Sequence, residues 1–295
     1  MTPMPSRLPM AAMPAVFVLL WSTGFIGAKY GLPYAEPFTF LVLRFAAVIL
    51  LLAAVAVITR APWPRDPRLV GHLAMSGILV HGCYLGGVFA AISQGLPSGL
   101  VALIVGLQPL LTALVAGPVL GEQVSGRQWL GFALGLAGVS LVVSSRLVGG
   151  APLGLSGTSL ACAVLALAGI TAATLYQKRY CTGMDLRTGA VIQYAGAAAI
   201  MLPAALLTET MQVNWTGDFI FALVWLVLVL SVGAISLLMT LIRLGEAARV
   251  ASLFYLVPPV TALMAWGLFD ERLSPLALAG MALAVLGVAL VVRRR

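Results

Sequence analysis

The chain alternates between long apolar segments and short polar or proline-containing connections. An apolar segment of about 20 residues is long enough for an α-helix to cross the hydrocarbon core of a bilayer. Backbone N–H and C=O groups find no water there, so each crossing segment is expected to be helical. The pattern predicts ten such helices, near residues 14–31, 37–59, 69–92, 97–118, 126–145, 155–178, 187–208, 218–241, 246–268 and 275–292.

The second half of the chain repeats the first with a shift of 149 residues. Residues 101–146 align with residues 250–295 without a gap, and 19 of these 46 positions are identical. Apolar residues match by chance in such sequences, so the informative identities are those of proline, glutamate, serine and glycine. These include the pairs Pro109 and Pro258, Glu122 and Glu271, Ser125 and Ser274, and Gly138 and Gly287. We therefore predict two copies of one unit, residues 1–148 and 149–295.

Each predicted unit contains five spans. Because five is odd, the second unit must enter the membrane from the side opposite to the first. Such an inverted repeat is typical of many secondary transporters, whose solute binds near the bilayer midplane between the two halves. Some channels share the arrangement, so it favours a transporter without excluding a channel. The predicted fold class is an all-α integral membrane protein, with ten transmembrane helices as two inverted five-helix repeats.

Composition leads to the same class, because 61% of the residues are apolar and only 9% are charged, against about 25% charged in soluble proteins. Thirteen Lys and Arg residues fall on one side of the predicted spans, and three (Lys29, Arg146 and Arg272) fall on the other. This bias predicts that both termini lie in the cytoplasm. The basic residues are dispersed and do not form the patch that nucleic-acid binding requires. The three cysteines are odd in number and lack CxxC spacing, so they indicate neither a disulfide framework nor a zinc site. No metal or cofactor is expected.

Arg44 and His81 are ionisable residues that lie inside predicted spans. Arg44 lies about seven residues into the second span, or about 10 Å along its axis. A charge at that depth must face protein or a wet cavity, which indicates a site for a solute carboxylate or a gate. The alternatives are snorkelling and a structural bond near Glu36. His81 could line the cavity or be a hydrogen-bonded structural residue. Gln193 in the seventh span is the residue equivalent to Arg44 under the shift of 149.

Aromatic residues near these positions are further candidates for contact with a solute. Tyr84 follows His81 by almost one turn, and Tyr255 precedes Pro258 by about one turn. Trp21 lies within the first span and could contact an apolar or cationic solute. Ordinary packing is the alternative for each of them.

Gly106 and Pro109 in the fourth span, and Pro258 and Pro259 in the ninth, interrupt the helical backbone ladder. Carbonyl groups freed at such breaks can point at a solute, so we predict hinge or gating positions there. A static kink that shapes the bundle is the alternative.

Glu122 and Glu271 each precede a serine by three residues, and we predict structural roles for all four. The glutamates are suited to pairing with helix dipoles or with nearby arginines. Ser125 is predicted to cap the fifth helix, and Ser274, followed by Pro275, is predicted to cap the tenth.

Several motifs resemble the EamA branch of the drug/metabolite transporter superfamily. They are Trp21-Ser-Thr-Gly-Phe25 with Lys29, Leu43-Arg44-Phe45, and the repeated segments Pro109–Glu122 and Pro258–Glu271. Within that branch the chain most resembles the YddG-type amino-acid exporters. The resemblance implies a central cavity formed chiefly by helices 3, 4, 8 and 9, with helices 1, 2, 6 and 7 as moving gates. It also implies that helices 5 and 10 are scaffold or dimer surface.

The function expected from repeat and resemblance is export of small metabolites, with amino acids foremost, across a bacterial-type inner membrane by alternating access. The partners are then the lipid bilayer and a small-molecule solute, and the carrier is a monomer or a homodimer. A multidrug exporter of cationic compounds is one alternative, although it would be expected to carry a membrane-embedded carboxylate, and none is visible in the sequence. An integral membrane enzyme is another, but HExxH, P-loop and Ser/His/Asp signatures are missing from the sequence.

Overall fold

The computed structural model describes residues 7–112, 115, 125–148, 156–181, 184–234, 237, 254–271 and 274–292. Within these ranges lie six apolar helices long enough to cross a membrane and four shorter ones, which confirms the predicted fold class. The ten are α1 (Arg7–Gly31), α2 (Pro37–Ile58), α3 (Pro67–Ser93), α4 (Ser98–Thr112), α5 (Gly126–Val148), α6 (Gly157–Tyr180), α7 (Leu186–Thr208), α8 (Gly217–Ala234), α9 (Val257–Phe269) and α10 (Pro275–Val292).

At several helix starts a side chain accepts from a backbone N–H group that has no partner within the helix. Ser274 accepts a hydrogen bond from the N–H of Ala277 at 3.1 Å, and Pro275 is the first helical residue, as the sequence predicts. Ser125 directly precedes the first residue of α5, and its carbonyl accepts from the N–H of Trp129 at 3.1 Å. The start of α10 therefore follows from local capping chemistry.

Among the described residues, two helices contain π-helical segments, in which each backbone N–H bonds to the carbonyl five residues earlier. These segments are Ile78–Leu85 in α3 and Trp225–Ala234 in α8. The shift of 149 places residues 78–85 on residues 227–234, inside the second segment. Such segments frequently occur at functional sites, and here they stand at equivalent positions of the two halves.

The helix contacts keep the same pattern when the two halves are exchanged. The pairs α2–α7, α4–α9 and α5–α10 each map onto themselves. The contact of α1 with α8 maps onto that of α6 with α3, and α1 with α9 maps onto α6 with α4. The two halves are thus related by a pseudo-two-fold axis.

Exchange of the halves also exchanges the two ends of the bundle. The α1–α2 loop meets the α7–α8 loop, with an antiparallel bridge between Ala35 and Val213. At the other end, the start of α7 contacts the α2–α3 connection through a hydrogen bond of 2.8 Å, in which the Thr188 hydroxyl donates to the Pro62 carbonyl. In a parallel repeat the equivalent loops would share one end, so the repeat is inverted, as predicted.

Close packing of α5 against α10 has the same symmetry. A Cβ atom at Gly138 would lie 2.5 Å from the carbonyl oxygen of Gly280, and one at Gly287 would lie 2.5 Å from that of Gly131. These two contacts are equivalent under the 149-residue shift and require glycine because any side chain would collide with backbone. Helices α5 and α10 run antiparallel, and a scaffold role for them stays a prediction.

Candidate functional site

A cavity of about 110 Å³ lies between α1, α2, α3, α6, α7 and α8. Its polar and aromatic wall includes Trp21, Arg44, His81, Tyr84 and Tyr194. The remaining lining residues are mostly apolar: Gly24, Phe25, Val80, Leu85, Val88, Phe89, Ile170 and Leu230.

The wall differs from the one that the family resemblance implies. Helices 3 and 8 contribute to it, whereas helices 4 and 9 supply none of the described lining residues. The reason is their mutual packing: every residue of Ser98–Val105 in α4 is buried, and a Cβ atom at Gly99 would lie 3.2 Å from the backbone of Ala262 in α9.

Arg44 is buried, with 4% of its surface exposed, and it lies on the cavity wall. Its Nη2 donates to the hydroxyl of Ser231 at 3.2 Å, and the Tyr194 hydroxyl donates to the same oxygen at 3.1 Å. Ser231 in turn donates to the carbonyl of Leu226 at 3.1 Å. Nε of Arg44 makes no hydrogen bond within the described part of the chain. This placement agrees with an inward-facing arginine rather than a snorkelling one.

The sequence analysis missed Ser231 and Tyr194, although the repeat held a signal for the second. The shift of 149 carries Arg44 and Phe45 onto Gln193 and Tyr194, so the aromatic position is repeated together with the polar one. Ser231 reaches Leu226, five residues earlier, inside the π-helical segment of α8. That local geometry is not evident from sequence spacing.

His81 stacks on Tyr194, with ring centroids 3.9 Å apart and 14° between the ring planes. Its Nδ1 is buried and lacks a hydrogen-bond partner among the described residues. Gln193, next to Tyr194, donates to Ser76 of α3 at 3.3 Å. Helices α3 and α7 are therefore joined both by stacking and by a polar contact.

Four of the five predicted solute contacts (Trp21, Arg44, His81 and Tyr84) line this one cavity. The backbone of Tyr255 lies in the short 3₁₀ turn Phe254–Leu256 before α9, and its side chain lies outside the described part of the structure. Their roles in solute binding stay predictions.

The predicted breaks in helices 4 and 9 differ in kind. In α4 the regular helix ends at Val105, with Gly106 as its C-cap and Pro109 just beyond the break. In α9, Pro258 and Pro259 stand in the first turn of the α-helix. Proline in a first turn removes no intrahelical hydrogen bond, so the described α-helix begins with these prolines in its first turn, and their hinge role stays a prediction. A Cβ atom at Gly106 would lie 2.8 Å from the Pro258 ring, so the predicted hinges meet where α4 crosses α9.

Glu271 joins three elements at the end of the bundle where α1 ends. Its carboxylate forms a salt bridge with Lys29 of α1. It also accepts from the N–H and the hydroxyl of Ser98 at the start of α4, each at 3.3 Å. Glu271 therefore contacts a helix N-terminus as predicted, and its charged partner is a lysine rather than an arginine. Glu122, its counterpart in the first repeat, lies outside the described residues.

The sequence profile of the EamA-like transporter family matches the chain twice, over residues 10–144 and residues 156–293. The chain belongs to the EamA-like transporter family. Each match covers one five-helix repeat, in agreement with the pseudo-two-fold arrangement of the helices. The protein is a multi-pass membrane transporter.

Curated EamA-like relatives align over nearly the whole chain. The inner membrane transporter YedA of Escherichia coli, whose function is uncharacterized, is 28% identical over 96% of this chain and 90% of its own length. A probable amino-acid metabolite efflux pump of the same organism is 27% identical over 92% and 90%. A probable terminal-alkyne amino-acid exporter of Streptantibioticus cattleyicolor is 28% identical over 94% and 91%.

One crystal structure superposes with a TM-score of 0.61 over 97% of this chain and 96% of the other, at 21% sequence identity. At that identity the likeness concerns the fold.

Proposed function

We propose that this transporter exports small carboxylate-bearing metabolites, amino acids foremost, by alternating access through the cavity between its two repeats. The observation that carries the proposal is the buried Arg44 on the cavity wall, held by Ser231 and with Nε free of described partners. A buried guanidinium is suited to binding a carboxylate. The names of two relatives, which refer to amino-acid metabolites and amino acids, support the same solute class.

In this mechanism the two repeats exchange conformations, so that the cavity opens to one side of the membrane at a time. The salt bridge between Lys29 and Glu271 joins α1 to the α9–α10 connection. Lys29 lies four residues after Phe25 of the cavity wall, about 6 Å along the helix. Its position suits a contact that closes the cavity at this end.

The proposed location is a bacterial-type inner membrane, with both termini in the cytoplasm. Thirteen basic residues against three support that orientation. We propose that the carrier works as a monomer or a homodimer, with the described cavity wall formed by helices of both repeats. No cofactor enters the mechanism.

Counterflow in proteoliposomes tests the proposal. Vesicles that hold purified protein and an unlabelled amino acid should accumulate the labelled form unchanged, and Arg44→Gln should lower this uptake by about tenfold. Arg68→Gln, which removes an exposed arginine from the start of α3, is the matched control. Chemical conversion of the solute would favour an enzyme. Uptake of ethidium without uptake of any amino acid would favour a cation exporter.

A further inference from the structure

We infer that the cavity binds its solute through the carboxylate alone and does not require an α-ammonium group. Carboxylates with an apolar tail and a 2-oxo or 2-hydroxy group are then solutes of the same site. The inference rests on the proposed function, because it concerns the same cavity and the same arginine.

The first step is the charge of the cavity wall. Arg44 is buried, and its hydrogen-bonding partner there, Ser231, is neutral. None of the acids in the described ranges lines the cavity. Six of them form their contacts at helix ends and loops: Glu36, Asp66, Asp185, Glu209, Asp218 and Glu271. A buried cation without a counter-charge is stabilised by an anionic ligand.

The second step concerns an ammonium group at this site. In an α-amino acid whose carboxylate contacts Arg44, the ammonium lies within about 5 Å of the guanidinium, a range at which like charges repel. An acid on the wall could offset this repulsion, but none of the described lining residues is an aspartate or a glutamate. A solute without the ammonium avoids that repulsion.

The third step concerns the rest of the solute. Phe25, Val88, Phe89, Ile170 and Leu230 give most of the cavity an apolar surface. Such a surface favours an aliphatic or aromatic tail over a second charged group. His81 also lines the cavity, and its buried Nδ1 has no described partner, so we assign it to a 2-oxo or 2-hydroxy oxygen next to the carboxylate.

The experiment compares three compounds that share one carbon skeleton. Counterflow of labelled leucine is measured against unlabelled leucine, 4-methyl-2-oxopentanoate (no ammonium) and leucinamide (no carboxylate). The oxo acid is expected to inhibit leucine counterflow at least as strongly as unlabelled leucine does. Leucinamide is expected not to inhibit it even at about tenfold higher concentration. Inhibition by leucinamide at the concentration that suffices for leucine would overturn the inference, as would failure of the oxo acid.

Variants assign the effect to Arg44. Arg44→Gln should abolish the inhibition by 4-methyl-2-oxopentanoate, and Arg44→Lys should retain part of it because the charge remains. The control variant Arg68→Gln should behave as the unchanged protein. Equal inhibition in Arg44→Gln and in the control would overturn the assignment.

A binding measurement separates this inference from the proposed function. The melting temperature of the detergent-solubilised protein should rise with 4-methyl-2-oxopentanoate and stay unchanged with leucinamide. A rise without any counterflow would support the carboxylate site and contradict transport of these solutes. Counterflow of leucine with a rise caused by leucinamide alone would support transport and contradict the carboxylate site.

Discussion

At the scale of single residues, Ser231 holds the buried charge of the cavity in position. Its one hydroxyl accepts from both Arg44 and Tyr194 and donates to the backbone of α8. The residue thereby connects α2, α7 and α8 at one oxygen atom. Hydrogen bonds to charged groups contribute about 1.5–3 kcal/mol each, so this oxygen is expected to influence how Arg44 meets a solute.

Ser231→Ala is predicted to raise the KM for solute counterflow by about tenfold, because Arg44 and Tyr194 lose their shared acceptor. Ser231→Thr retains a hydroxyl and should restore much of the affinity. Initial rates in proteoliposomes, normalised to protein abundance, are the measurement. Ser22→Ala is the matched control, since Ser22 is buried in α1 and donates to Val257 outside the cavity wall. An unchanged KM in Ser231→Ala would show that Arg44 is positioned without this serine.

At the scale of helices, two kinds of contact connect the elements around the cavity. The π-helical segments of α3 and α8 face it with His81 and Tyr84 on one and Leu230 on the other. Glu271 connects the ends of α1, α4 and α9 through Lys29 and Ser98. The π-helical segments shape the cavity wall, whereas the Glu271 contacts join helices at one end of the bundle. The shift of 149 pairs Lys29 with Lys178 and Glu271 with Glu122, so each residue type recurs in the other repeat.

Loss of the Lys29–Glu271 contact is predicted to open the cavity at the α1–α2 end. In a background with its three cysteines replaced, Phe25→Cys should react with an impermeant thiol reagent several-fold faster after Lys29→Met or Glu271→Gln. The double variant should react no faster than either single one, because both remove the same interaction. Tyr30→Phe serves as the control, since it removes an exposed hydrogen bond to Asp218 at the same end. Additive effects of the two charge removals would contradict a shared contact.

At the scale of the whole molecule, the inverted repeat determines which loops lie together. The carboxylate of Glu36 accepts from the N–H and hydroxyl of Thr210, which joins the α1–α2 loop to the α7–α8 loop. Arg65 lies in the α2–α3 connection at the opposite end. The fold thus determines relative sidedness, and the distribution of basic residues predicts which side is the cytoplasm.

Cysteine labelling in intact cells tests that orientation. Cysteines at positions 36 and 215 should react with an impermeant reagent added outside, and one at position 65 should react only after permeabilisation. The replaced residues are Glu36, Trp215 and Arg65, and the cysteine-free protein is the control. Reaction at position 65 from outside would reverse the predicted topology. Reaction at position 36 but not at 215 would contradict the placement of the α1–α2 and α7–α8 loops at the same end of the bundle.

The sequence by itself determined the helices, the repeat and its inversion. These depend on local or pairwise properties: an apolar length that spans the bilayer, the odd number of spans, and one register shared by proline, glutamate, serine and glycine pairs. Capping at Ser274 and Pro275 was predicted for the same reason, because a cap involves only neighbouring residues. Arg44 and His81 were predicted to be cavity residues from depth alone, since a polar group inside a span must face protein or water.

Only the tertiary structure decided which side chains share a cavity. Successive residues of an α-helix rotate by about 100° around its axis, and the π-helical segments of α3 and α8 change that rotation locally. The depth of a residue in a span therefore does not specify which side of the helix its side chain lies on, and for this reason Ser231 and Tyr194 were missed. The exclusion of α4 and α9 from the described wall follows from their packing on each other at Gly99 and Gly106. Those distances arise when distant segments meet, and no spacing within either helix specifies them.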